Sequence, residues 1–227
     1  MIASVHQPQY LPWLGFFDKI AKSDCFIYLD QVQYKSREFQ NRNKIRTKDG
    51  WIWLTVPVMT KGKRGQSINE IKIDNELDWQ KRHISSLRTW YAKAKFFHKY
   101  ESFFEEVFSK DWGNLADLNI HIINYLLKQL NISTPIYFES KLGINSTKTD
   151  RIIDICKKLN ADTYLSGIGG KDYLEEGKFI NADIKLIYQD FPHPVYEQCY
   201  GPFIPYMSII DLLFNKGEES LKILKGK

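Results

Sequence analysis

Residues 1 to 30 constrain this chain more than any other stretch. Ile2-Ala-Ser-Val5 is a short apolar run of strand composition, and Asp24-Cys-Phe-Ile-Tyr-Leu-Asp30 is a second, bounded by acids. Between them His6-Gln-Pro-Gln-Tyr-Leu-Pro-Trp13 forms a Pro-interrupted turn, and the residues after it set Phe16, Phe17 and Ile20 on one side of a helix. Strand, helix and strand in this order make a β-α-β unit, whose strands run parallel and whose sheet must be covered on both faces. Ligands of such sheets bind beyond the carboxyl ends of the strands, where His6 and Asp30 stand.

The last third returns to the same alternation. Ile136-Tyr-Phe-Glu139 reads as a strand, Lys148 to Leu159 as a helix behind Thr147, and Thr163-Tyr-Leu165 as a strand. A short helix, a strand at Ile184-Lys-Leu-Ile-Tyr188 and a helix from Ile209 to Asn215 begun by Ser208 complete the series. Trp51 to Val58 and Ile68 to Ile73 are expected to pair as strands, joined by the basic loop Lys61-Gly-Lys-Arg-Gly-Gln66. Residues 76 to 131 contain no proline and only Gly113, and their apolar residues recur at helical spacing, which predicts three helices. The expectation is therefore an α/β fold: a mostly parallel sheet of strand-loop-helix units with a β-excursion. At 227 residues it is expected to form a single domain over 1–227, with a helical insert at about 76–131.

Charge is concentrated in one segment. Residues 35 to 66 hold nine cations against Glu38 and Asp49, a balance of +7 in a chain whose total is +5. A cluster of this sign favours an anionic partner, such as a nucleotide sugar or another phosphorylated small molecule. Nucleic acid is disfavoured, since the pI of 8.9 comes with no recognisable binding module. Cys25, Cys156 and Cys199 lie far apart without a CxxC pair, which suits reduced thiols and gives no metal spacing. No run is long and apolar enough to span a membrane, and Met1 to His6 lacks the pattern of a signal peptide, so a cytoplasmic location is expected.

Four constellations could carry chemistry. The first is His6 with Gln7, Gln9, Tyr10, Trp13 and Lys19 at the strand-to-helix switch, where packing alone would need none of the polar groups. The second runs from Asp30 and Gln33 into Gln40, Asn41, Arg42, Asn43 and Arg46; its guanidinium groups suit phosphate or carboxylate and its amides suit hydroxyls or a base edge, although a solvated loop would look the same. The third is Ser166-Gly-Ile-Gly-Gly-Lys-Asp172, where Ser166, Gly167, Gly170 and Lys171 could cradle an anion or simply form a turn. The fourth joins His193, held between two prolines, to Tyr206, Ser208 and Asp211; Ser208 and Asp211 also fit a plain helix-start cap. On this reading His6, Asp30 and His193 are the candidate catalytic residues, and no cofactor is specified.

Taken in order, His6-Gln-Pro-x-Tyr-Leu-Pro-Trp-x-Gly15, Asp30-x-Val-Gln33, Phe39-Gln-Asn-Arg-Asn43, Leu165-Ser-Gly-x-x-Gly-Lys171 and Pro205-Tyr-Met-Ser-Ile-Ile-Asp211 resemble the WbqC-like family from residue 1 to about 218. The resemblance implies a part in bacterial O-antigen or other surface-polysaccharide synthesis, acting on nucleotide-activated sugars. Together with the basic, amide-rich strand ends it suggests transfer of an acyl or aminoacyl group to an amino sugar, with His6 as general base and Arg42, Arg46 and Lys171 on phosphates. Two alternatives stay open. An adenylate-forming or nucleotidyl-transferring enzyme using ATP would open on a similar strand, His turn and helix, but Gln9 stands where an HxGH motif has its second His. A non-catalytic binding subunit of a glycan-assembly complex would bind ligand without turnover.

Overall fold

A computed structural model describes every residue except Lys61, Lys63, Arg64 and Lys227, so part of the expected basic loop lies outside the described residues. In chain order the elements are β1 (Ile2–His6), α1 (Leu14–Ala21), β2 (Cys25–Tyr28), β3 (Arg42–Thr47), β4 (Gly50–Thr55), α2 (Trp79–Tyr91), α3 (Phe97–Phe108), α4 (Leu115–Gln129), β5 (Ile136–Phe138), α5 (Lys148–Lys158), β6 (Thr163–Ser166), α6 (Glu176–Asn181), β7 (Lys185–Tyr188), α7 (Ile209–Lys216) and α8 (Ser220–Leu224). Among the described residues no helix is long and apolar enough to cross a membrane. The chain divides into two compact units. One comprises Met1–Pro8, Gly15–Val32 and Ile132–Pro192, the other Gln9–Leu14, Gln33–Asn131 and His193–Lys227.

The first unit is a five-stranded, wholly parallel sheet of order β5-β2-β1-β6-β7. This bears out the expected α/β class with a mostly parallel sheet. Alternation along β1 and β2 sends Ala3, Val5, Cys25 and Ile27 into one core with Ile152, Ile155 and Cys156 of α5 and Phe179 of α6. The opposite face carries Phe26 and Tyr28, with Phe16 of α1 edge-on to Phe26 at 5.6 Å. Each such aliphatic or aromatic side chain contributes about 1.5–3 kcal/mol when buried. From β1 the chain adds β2 and β5 on one side and β6 and β7 on the other, so the strand order reverses between β1 and β6. That reversal is where a doubly wound sheet opens a crevice at its carboxyl ends.

The second unit packs α2, α3, α4 and α7 around aromatic side chains. The ring of Phe214 meets those of Tyr91, Phe97 and Phe104 at 5.1, 5.2 and 5.6 Å. The three helices expected between 76 and 131 are α2, α3 and α4. The expected pairing of Trp51–Val58 with Ile68–Ile73 is corrected: β4 pairs antiparallel with β3, and Ile68–Glu70 is a 3-10 turn. The turn begins in a reciprocal cap, Ser67 N–H donating to Glu70 Oε2 at 2.9 Å, which favours a helical turn over an extended strand. Of the expected pairing, an isolated antiparallel bridge between Val58 and Ile73 is present among the described residues.

Candidate functional site

Lys19 occupies the strand-order reversal of the first unit. Its position on α1 sends the side chain inward, where it is 4% exposed, and its Nζ donates to Val5 O at 2.9 Å near the end of β1. The same Nζ lies 3.9 Å from where a side chain at Gly167 would begin, just past β6. It thus stands between the carboxyl ends of β1 and β6. Among the described residues no carboxylate comes within 4.0 Å of it; the neighbouring Asp18 binds Lys22 at 2.9 Å and Gln189 at 2.7 Å instead. Burial brings the Lys19 ammonium down to about 7.

His6 closes β1 beside it. Its Nδ1 lies 3.0 Å from Gln7 O, and since a carbonyl can only accept, Nδ1 carries the proton and Nε2 is left as the basic nitrogen. The ring meets Phe16 edge-on at 5.2 Å. Burial first, then the charge of Lys19, lowers the imidazole to about 3, so it is neutral across the physiological range. Ser166 ends β6, and its Oγ donates to Gly167 O at 3.0 Å, the carbonyl that also receives Gly170 N–H at 2.9 Å. A Cβ on Gly170 would fall 2.0 Å from Ser166 Oγ, so only glycine lets this turn close so tightly. Lys171 is exposed and holds its ammonium 5.2 Å over the ring of Tyr188. Asp30 lies two residues past β2 but is engaged: its carboxylate accepts from Ser140 N–H at 3.0 Å and Ser140 O–H at 2.6 Å. The first unit therefore brings together His6, Gln7, Lys19, Ser166, Gly167 and Gly170, with Asp30 and Lys171 in the same unit on other partners.

The remaining candidates belong to the second unit, mostly inside hydrogen-bonded networks. Tyr10 O–H donates to His83 Nδ1 at 2.8 Å, and burial holds that imidazole at about 3. Asn43 donates to Leu11 O at 2.8 Å, Asn41 to Val56 O at 2.8 Å, and the carbonyl and amide oxygens of Gln40 accept from Asn119 and Lys35. Gln33 bridges Ser67, and Trp13 bridges Ser208. Arg46 is 1% exposed, and its guanidinium donates to the carbonyls of Thr47, Gly50, Tyr200 and Pro202. Asp211 is fully buried and accepts from Tyr91 O–H, Tyr196 O–H and the Gln198 amide, each at 2.8 Å. Ser208 alone caps α7, accepting from Ile210 N–H. His193 Nε2 accepts from Tyr206 N–H at 3.1 Å, and burial lowers its affinity for a proton. Arg42 holds its guanidinium 4.3 Å over the ring of Trp53.

Two groups escaped the sequence reading. Glu139, at the end of β5, is fully buried against Arg151 Nε at 3.1 Å, and burial pushes its carboxyl up against the pull of that guanidinium. Nothing local marks a Glu and an Arg this far apart as partners. The second is the ring-and-cation face formed by Arg42, Lys44, Trp51 and Trp53. Its signal was present, as cations on every second residue from Arg42 to Arg46 followed by the turn signal Asp49-Gly50. Among the described residues no three His, Cys, Asp or Glu side chains gather as metal ligands.

The sequence profile of the WbqC-like protein family matches residues 7–223. The chain is 35% identical over 224 residues to the uncharacterized protein Rv1507c of Mycobacterium tuberculosis (strain ATCC 25618 / H37Rv), covering 98% of this chain and 96% of that protein. No solved structure matches.

Proposed function

The chain belongs to the WbqC-like protein family, and from that premise we propose that it is an enzyme of bacterial surface-polysaccharide (O-antigen) biosynthesis. It takes a nucleotide-activated sugar at the carboxyl ends of β1 and β6 and transfers an acyl or aminoacyl group to an amino sugar. The observation that carries the reading is Lys19, a buried amine at the strand-order reversal with a carbonyl partner but, among the described residues, no counter-ion within 4.0 Å. Burying a cation without a counter-charge is costly, and an anionic substrate removes that cost. As the sugar nitrogen attacks the acyl carbonyl, a C–N bond forms and the bond between the acyl carbon and its carrier breaks; His6 Nε2 takes the amine proton and returns it to the departing carrier, and the Lys19 ammonium balances the negative charge that builds on the carbonyl oxygen in between. A substrate anion beside both groups lifts the imidazole from about 3 toward a useful basicity.

Thermal melting against nucleotides, nucleotide sugars, coenzyme A and ATP with Mg²⁺ tests this, since a ligand at 100 times its Kd stabilises by about 2.7 kcal/mol. A shift by nucleotide sugars is expected and names the nucleotide. A shift by ATP with Mg²⁺ alone would transfer the reading to adenylate formation, and no shift by any of them would remove the activated-sugar substrate. With the ligand known, His6→Ala should lower turnover by about 10²-fold or more while leaving the fold intact.

A further inference from the structure

One face of the β3–β4 hairpin carries rings and cations outside the networks described above. The antiparallel register sets Lys44 opposite Trp53 and Arg46 opposite Trp51, so Arg42, Lys44, Trp51 and Trp53 share a face. Lys44 Nζ lies 4.2 Å from the centre of the Trp51 ring and 5.4 Å from that of Trp53, and the Arg42 guanidinium lies 4.3 Å from Trp53. Phe39 extends the row, 5.9 Å from Trp53. Trp51 is 41% and Phe39 38% exposed, large for rings of this size. Among the described residues neither Arg42 nor Lys44 has a carboxylate within 4.0 Å. Residues 35 to 48 hold six cations against the single acid Glu38, so the field over this face is positive.

We propose that this face is a binding site for an acidic glycan, whose carboxylate groups pair with Lys44 and Arg42 while its sugar rings rest against Trp51 and Trp53. The charge selects an anion, and cations seated on rings are held in place before a partner arrives, which reduces the ordering cost of binding. The angle between the rings selects the kind of anion. Trp51 and Trp53 stand 5.5 Å apart with their planes at 82°. Bases that stay stacked on one another present parallel faces, which two rings at this angle do not match together. Pyranose rings joined through glycosidic oxygens turn relative to one another and can meet two steeply angled surfaces. The site shares no residue with His6, Lys19 and the β6 turn, so it stands or falls apart from the activated-sugar reading.

The test uses calorimetry and tryptophan fluorescence on the full chain with three probes: a polyuronic acid oligomer, a neutral dextran oligomer of equal length and a single-stranded oligonucleotide. The polyuronate should bind, weaken with added salt and outcompete dextran by about tenfold or more, while quenching fluorescence. Trp51→Ala and Lys44→Gln should each weaken polyuronate binding by about tenfold with an unchanged circular dichroism spectrum, because Trp51 is exposed and Lys44 only half-buried. Absence of polyuronate binding, or binding unaffected by both substitutions, overturns the site. Tighter binding of the oligonucleotide, lost in both variants, overturns the glycan in favour of nucleic acid. A failed thermal shift with nucleotide sugars leaves all of these outcomes as they are.

Discussion

Replacing Lys19 by methionine should make the protein more stable and, at the same time, blind to its ligand. Methionine keeps the length and most of the volume of the side chain but carries no charge. An amine held at about 7 against an ordinary 10.5 disfavours the folded state by about 4–5 kcal/mol below pH 7, at 1.36 kcal/mol per pH unit. Loss of the bond to Val5 O returns about 1–3 kcal/mol of that. The net gain of about 1–4 kcal/mol corresponds to a melting temperature higher by about 2–16 °C in a chain of this length. The sign with pH follows from which state takes up protons. Between about 7 and 10.5 the unfolded lysine is protonated and the folded one is not, so wild-type stability from this group rises across that window. The advantage of the variant should therefore be largest at pH 7 and below, shrink as pH rises, and turn into a small deficit near 10.5, where only the lost bond to Val5 O remains. Melting curves of both proteins from pH 6 to 10, with and without the nucleotide sugar that shifts the wild type, measure this. A variant that is less stable at pH 7, or a gap that stays constant with pH, would refute the idea of an uncompensated amine waiting for an anion.

Three further outcomes are open to measurement. Gly170→Ala should cost about 1–3 kcal/mol in urea unfolding, because its Cβ would fall 2.0 Å from Ser166 Oγ and 3.0 Å from Leu174 Cδ1; an unchanged midpoint would mean the turn is free to open. Asp211→Ala should cost about 3–5 kcal/mol or prevent folding, since Tyr91, Tyr196 and Gln198 would lose a shared buried acceptor, and a loss below about 1 kcal/mol would contradict that. With His6 at about 3 in the folded protein against 6.5 ordinarily, its contribution to stability is present above 6.5 and lost as pH falls toward 3; His6→Gln should flatten the acid limb of the melting profile, and an unaltered limb would assign it to other groups.

Much of the sheet could be read from the chain because its signals are local. The apolar runs at Ile2–Val5 and Asp24–Asp30, each too short to be a helix and separated by one, leave little but a parallel pair. The β3–β4 hairpin was missed for a physical reason. In β3 the cations Arg42 and Lys44 sit over indoles and Arg46 is buried on backbone carbonyls, so a strand that contacts aromatic rings and carbonyls looked like a solvated polar loop. The candidate site was legible in its residues but not in its energetics. Lys19 lies between Asp18 and Lys22 in sequence, an arrangement that suggests ordinary surface charges, and only the packing shows that Asp18 serves Lys22 and Gln189 while Lys19 turns inward. The Asp211 network depends on Tyr91, 120 residues away, which no local pattern could supply.

The position of β1 in the sheet also sets an order of events during synthesis. β1 pairs with β2 almost at once, but its other edge is completed by β6, where Ile2 meets Thr163. Until the ribosome has passed that point, the central strand presents an unsatisfied row of N–H and C=O groups, and the crevice has only one wall. A parallel sheet closed by so distant a partner has high contact order and folds slowly, and such a nascent edge is a template for aggregation. The polar turn and basic segment that follow β1 and β2 would be translated while that edge is still bare. A shortened chain ending before β6 would accordingly lack not just a strand but the ability to form the anion crevice at all.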